Sequence, residues 1–151
     1  MANTQAMCTS FKGELLVGHH NFGTGVTRGS TAADTFKAAL YLASATVNAT
    51  TTAYSATGEV SGTGYTAGGV TVTFGTVPST SGTTAFVTPS ASITYSAVTL
   101  STAFDAVLIY NSTQSNKAVS VHTFGSQTVT AGTFTLTMPT NDASTGLIRI
   151  A

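Results

Sequence analysis

Three histidines and one cysteine are the side chains in this sequence best suited to binding a metal ion. His19 and His20 are adjacent, His122 lies far along the chain, and Cys8 precedes all three. Adjacent side chains on a strand point to opposite faces, so the pair can share an ion only if it lies in a loop. The spacing matches no zinc pattern. We therefore expect an exposed histidine pair, a surface His122 and no metal site.

The segment Gly62-x-Gly64-x-x-Ala67 matches the glycine fingerprint of dinucleotide-binding folds. That fingerprint requires a strand before it, a helix after it and an acidic residue about 20 residues further on. Residues 70–74 instead alternate as a strand does, and no Asp or Glu lies between Glu59 and Asp105. We expect a glycine-rich turn and no nucleotide cofactor.

The acidic residues are too scattered to suggest hydrolytic catalysis, which requires a nucleophile with its base or a pair of carboxylates. No Gly-x-Ser-x-Gly motif occurs either. The sequence therefore predicts no catalytic residues, no small-molecule substrate and no enzyme. The acids are Glu14, Asp34, Glu59, Asp105 and Asp142.

Asp105 stands at the start of the most apolar segment, Phe104–Tyr110. One interpretation is a buried switch or site residue. The other, which we favour, is a carboxylate at a strand edge that pairs with Lys117 across a hairpin. Opposite charges that face each other across two strands contribute modestly to stability.

The segment Phe104–Tyr110 is the element around which the chain is organised. Its apolar residues occupy both alternating faces, which predicts a strand covered on both sides. A polar turn over residues 111–116 and an alternating segment over 117–124 follow, and this order indicates a hairpin.

Further short segments alternate between apolar and polar residues, with turn residues between them, and residues 78–84 read as a loop. Eight to ten short strands of this kind predict an all-β fold, an antiparallel β-sandwich or a jelly-roll-like arrangement. We expect residues 1–34 to form an N-terminal arm with a first strand and a loop, and residues 35–151 to form the sandwich of a single domain. The remaining predicted strands are 11–17, 35–43, 70–74, 85–87, 92–96, 126–130, 133–138 and 147–150, and residues 98–100 lead into the segment Phe104–Tyr110.

Low charge is the outlying property of the composition. Charged residues make up 7% of the 151 residues, the formal net charge is zero, and Ser and Thr together supply about a third, whereas roughly 25% charge is ordinary. Little repulsion keeps copies of such a protein apart, so an assembled working state is favoured. No basic patch suggests nucleic acid, no apolar run is long enough to span a membrane, and one cysteine excludes an internal disulfide.

Several segments resemble small virion proteins of tailed bacteriophages. The glycine-rich piece over residues 55–69 is the most distinctive of them. The other resembling pieces are 10–16 with 20–22, 35–41, 106–113, 116–119, 124–125 and 148–150.

The resemblance implies a structural virion protein, most directly a capsid decoration (cement) protein on the phage head. The implied partners are the major capsid protein and further copies of this chain. Two alternatives remain open: a tail or fibre component, and a β-sandwich module that binds a receptor, a glycan or a small ligand. A glycan-binding role would place Tyr54 and Tyr65 in an exposed patch.

Overall fold

The computed structural model describes residues 3–8, 11, 15, 19–20, 22–23, 33–76, 78–82 and 84–150. Within these residues it contains eight strands. The strands are, in chain order, β1 (Ala6–Met7), β2 (Phe36–Leu42), β3 (Val70–Val72), β4 (Ser79–Ser81), β5 (Thr84–Val87), β6 (Ile93–Asn111), β7 (Lys117–Leu136) and β8 (Ile148–Ile150).

The strands form two antiparallel sheets. The larger sheet has five strands in the order β1-β7-β6-β2-β3, and the smaller has three in the order β4-β5-β8. The predicted all-β, antiparallel sandwich class is therefore confirmed.

A long hairpin of β6 and β7 dominates the larger sheet. The sequence predicts five short strands between residues 92 and 138, but the structure joins them into two strands of 19 and 20 residues. The pairing shifts at several β-bulges, and Ala97 and Ala131 have positive φ angles of 53° and 46° at two of them. A bulge interrupts the alternation of side chains without ending the strand, so it resembles a turn in the sequence.

The core lies around the segment Phe104–Tyr110, as the sequence predicts. Leu108 pairs with Ala39 of β2 on one side and with Val121 of β7 on the other. Val107, Leu108 and Ile109 are all at most 2% exposed. Since neighbouring residues of a strand face opposite sides, both faces of β6 are covered here.

Several described residues of the expected N-terminal arm pack onto the sheet. Ala6 and Met7 form β1 against β7, and Cys8 and Phe11 are fully buried. These residues of the expected arm are therefore packed into the core of the fold. Most of the predicted strand 11–17 lies outside the described residues, and Phe11 and Leu15, which are described, have helical backbone.

The predicted loop over residues 78–84 contains a short strand. Ser79–Ser81 pairs with β5, and all three of its residues are exposed. The prediction of a plain loop is wrong here because a segment rich in Ser and Gly forms a tight two-stranded turn, and its described side chains over residues 78–82 stay out of the core.

Candidate functional site

The Glu59 carboxylate accepts three hydrogen bonds from the chain around it. Oε1 accepts hydrogen bonds from the Tyr65 hydroxyl and the Gly68 backbone N–H, both at 2.7 Å. Oε2 accepts a bond from the Tyr54 hydroxyl at 2.6 Å. Hydrogen bonds to a carboxylate are among the strongest in proteins, so Glu59 fixes Tyr54 and the glycine-rich segment on either side of it.

All five tyrosines of the chain lie around this carboxylate, and we call Glu59 with these rings the glutamate–tyrosine cluster. Three hydroxyls donate to backbone carbonyls instead, for example Tyr110 to Gly68 at 2.8 Å and Tyr95 to Ala38 at 2.9 Å. Burial raises the pKa of Tyr41 to about 12 and raises that of Tyr65 above its ordinary value. The five rings are Tyr41, Tyr54, Tyr65, Tyr95 and Tyr110.

The glycine-rich segment is the backbone support of this cluster. Gly64, Gly68 and Gly69 have φ angles of 77°, 87° and 72°, a region that residues with a Cβ avoid. A Cβ on Gly69 would also overlap the carbonyl oxygen of Ala38. Strand β3 follows the segment directly, so the helix that a pyrophosphate site needs is not there. The glycines serve close packing of a loop on β2 and β6.

Tyr54 and Tyr65 do not form the exposed patch that glycan binding would require. Both rings are half-buried, and both hydroxyls donate to Glu59. Tyr54 stacks on Tyr110 with 4.7 Å between ring centroids, and Tyr65 stacks on Tyr95 at 5.9 Å. The polar tips and one ring face of each are therefore engaged within the fold.

The structure does not gather the metal-binding candidates into one site within the residues that it describes. His20 is buried, so the expectation of an exposed histidine pair is wrong; its ring centroid lies 4.7 Å from that of Phe11, and its Nδ1 lies 3.2 Å from Asn111 Nδ2. Cys8 Sγ faces the Asn48 carbonyl. Among the described residues no group of three His, Cys, Asp or Glu side chains is placed to hold an ion.

His122 differs from the expected surface residue. It lies on β7 beside an apolar cavity, and its Nε2 is 2.9 Å from Ser120 Oγ. Burial lowers the pKa of the imidazole to about 4, so the ring is neutral near pH 7.

The predicted Asp105–Lys117 pair is wrong. Lys117 lies opposite Asn111 at the turn of the hairpin, whereas the neighbours of Asp105 pair with Thr123 and Gln127. Six residues of strand separate positions 105 and 111, roughly 20 Å. Asp105 instead accepts a hydrogen bond from Asn3 Nδ2 at 2.6 Å, which fixes the N-terminal segment to β6.

The other described acids have local partners as well. Asp34 accepts hydrogen bonds from Asn111 and Gln114. Hydrogen bonds from Ser144 and Thr145 hold the pKa of Asp142 below its ordinary value. Glu14 lies outside the described residues. The structure thus does not bring the described carboxylates together as an acid–base pair.

An apolar cavity of about 130 Å³ opens between the hairpin and the chain that leads to β8. Buried Ile93, Val107 and Ile109 and half-buried Leu136 and Met138 are among its lining residues. His122 and Leu147 also contribute. The alternating sequence pattern indicates these apolar residues one by one. It does not predict that they line one cavity, because that depends on the bulged pairing of β6 and β7.

The far half of the hairpin, residues 93–104 with 123–136, exposes many hydroxyl-bearing side chains and no charged ones. No Asp, Glu, Lys, Arg or His occurs in the 45 residues from 60 to 104, or between 123 and 141. Thr94 and Thr135 face each other across the strands at 3.4 Å. We call its exposed side chains the distal hairpin surface: Thr94, Ser96, Ser101, Thr102, Ser126, Gln127, Thr128, Thr130, Thr133 and Thr135.

Comparison with known proteins gave no assignment: no family model matches the chain, and neither the curated proteins nor the solved structures returned a significant match. Within the residues that are described, no helix is long and apolar enough to cross a membrane.

Proposed function

We propose that this chain is a structural protein of a tailed-phage virion, and specifically a decoration (cement) protein that binds the head shell. Its partners are the major capsid protein and other copies of the chain. The observation that carries the proposal is the distal hairpin surface, which is extended, hydroxyl-rich and free of charged side chains.

A surface of this composition suits contact with another protein because burying it desolvates no charge. Transfer of an unpaired ion out of water is far more costly than transfer of a hydroxyl, which needs only one hydrogen-bond partner. Charged residues are correspondingly depleted from the centres of protein interfaces. The distal hairpin surface therefore meets the first requirement of a face that binds many equivalent positions on a shell.

The fold beneath this surface supplies rigidity. The far half of the hairpin has its own buried side chains, and the glycine-rich loop packs against this part of β6 at Gly62 and Gly64. The buried side chains are Tyr95, Val98, Leu100 and Phe104. A preorganised surface loses little conformational freedom when it binds, so uncharged contacts can suffice.

The proposal can be tested by measuring binding of the purified chain to expanded head shells of the phage that encodes it. We expect the purified chain to co-sediment with shells, and Thr128→Lys or Thr130→Lys to weaken binding because a charge must be desolvated. Thr52→Lys, at an exposed threonine outside this surface, is the matched control. Failure of the unmodified chain to bind shells would contradict the proposal, as would equal binding by all three variants.

A glycan-binding module is the second candidate, favoured by one feature. A shallow hollow beside the stacked Tyr65 and Tyr95 is lined by Thr94, Ser96 and Thr71, side chains that can hydrogen-bond sugar hydroxyls. Binding to a glycan array that Thr94→Ala and Ser96→Ala abolish, without any binding to shells, would favour this function over shell decoration.

A further inference from the structure

Among the described residues, Ile150 is the large apolar side chain that is most clearly exposed. Ile150 is 43% exposed, and no other large apolar side chain among the described residues is exposed to that degree. Ile148 lies two residues earlier on the same face of β8 and is only 3% exposed. The apolar face of β8 thus continues past the residues that cover it.

The apolar cavity beside His122 has the size of such a side chain. It measures about 130 Å³ and its lining is predominantly apolar. An engineered cavity of roughly 150 Å³ with similar lining binds benzene, so a space of this size accepts a group of four to six carbons. The Ile150 side chain has four. The neutral His122 ring adds no charge that a docked apolar group would have to desolvate.

We infer that a second copy of this chain inserts its Ile150 side chain into this cavity. The inference rests on the proposed function, for which self-association is expected, and names the contact. Leu147 lines the cavity and Ile150 follows three residues later, so the Cα atoms of the two residues are at most roughly 10 Å apart. A twofold axis between two copies would form the contact twice.

The surrounding surface suits a second copy. The strand residues on the rim, Phe124 and Leu136, belong to the uncharged stretch between residues 123 and 141. Arg149, the charged neighbour of Ile150, donates hydrogen bonds to the carbonyls of Ala143 and Ser144 in its own chain. Its charge is thus already engaged when the two copies approach.

Sedimentation equilibrium on the full chain tests the inference. We expect the unmodified chain to form a dimer. In Ile150→Ala its dissociation constant should rise about tenfold or more, because each of the two contacts then lacks one buried aliphatic side chain. Ile150→Leu should retain the dimer. Thr137→Phe, at an exposed residue on the cavity rim, should fill the cavity and weaken association, whereas Thr128→Phe should not. Unchanged melting temperatures would show that the variants fold.

A mixture of the Ile150→Ala and Thr137→Phe chains gives an independent readout. Each variant lacks both contacts with itself, but the mixture restores one of the two, so native mass spectrometry should detect heterodimers above the level of either homodimer. An assembly that neither substitution weakens would overturn the inference and leave shell binding intact. A wild-type chain that stays monomeric would also overturn it, while the shell-binding assay decides the proposed function separately.

Discussion

The Tyr65 hydroxyl donates a hydrogen bond to Glu59 Oε1 at 2.7 Å and accepts one from the backbone N–H of Leu40 at 3.0 Å. This single hydroxyl therefore joins the glycine-rich segment, a loop carboxylate and a central strand. Such a chain of polar contacts at the edge of a core is stabilising only while every member has its partner.

Replacing Glu59 with Leu should remove the acceptor of three hydrogen bonds at once. We expect a loss of about 2–4 kcal/mol in the free energy of unfolding, because the Tyr54 and Tyr65 hydroxyls and the Gly68 N–H lose a charged partner. Glu59→Gln keeps one acceptor oxygen and should lose about half as much. Urea denaturation measures both, and a change below about 0.5 kcal/mol in Glu59→Leu would show that the cluster does not stabilise the fold.

Gly69 and Gly82 allow the cost of a left-handed backbone to be separated from the cost of steric overlap. Both have positive φ, 72° and 57°, but a Cβ on Gly82 would meet nothing within 4 Å, whereas one on Gly69 would overlap Ala38. Gly82→Ala should cost about 1–2 kcal/mol for the left-handed backbone alone. Gly69→Ala should cost clearly more, and equal losses in urea denaturation would mean that the loop moves freely off β2.

Leu108→Ala should create a buried void in the most enclosed part of the sheet. The side chain is 0% exposed between β2 and β7, so we expect a loss of about 2–5 kcal/mol. Thr128→Ala, at an exposed site on β7, should stay within about 0.5 kcal/mol as the control. A Leu108→Ala loss well under 1 kcal/mol would mean that β6 is peripheral to the core.

His122 should make the fold less stable in mild acid. Burial holds the pKa of the folded imidazole at about 4, below its ordinary 6.5, so between these values the unfolded chain binds a proton that the folded chain does not. The stability that depends on this neutral ring is fully present above pH 6.5 and is lost as the pH falls toward 4, by about 3 kcal/mol. Asp142 has a lowered pKa in the folded chain, so its protonation changes the free energy of unfolding only below its ordinary pKa of 3.8. His122→Gln should flatten the curve of unfolding free energy between pH 6.5 and 4; an unaltered slope would contradict this.

The sequence predicts those parts of the fold that local alternation determines. Strands β2 and β3 and the doubly buried segment Phe104–Tyr110 are where the pattern places them. The lengths of β6 and β7 could not be predicted, because bulges at Ala97 and Ala131 break the period of two as a turn would.

The hydrogen-bond partners of the polar side chains could not be predicted from local alternation. Glu59 is bound by tyrosines five and six residues away and enclosed by others from β2 and β6, so its role depends on tertiary packing. Asp105 shows the same limit, since its partner Asn3 is 102 positions away in the chain. The clustering of all tyrosines between residues 41 and 110 was the available signal, but it carries no geometry.

The location and copy number of this chain in the intact phage particle test the central claim most directly. Electron cryomicroscopy of purified particles, with quantitative mass spectrometry, should find it at many equivalent positions on the outside of the head, with the uncharged far half of its hairpin against the shell or a neighbouring copy. Its absence from the particle, or a small number of copies confined to the tail, would contradict the account.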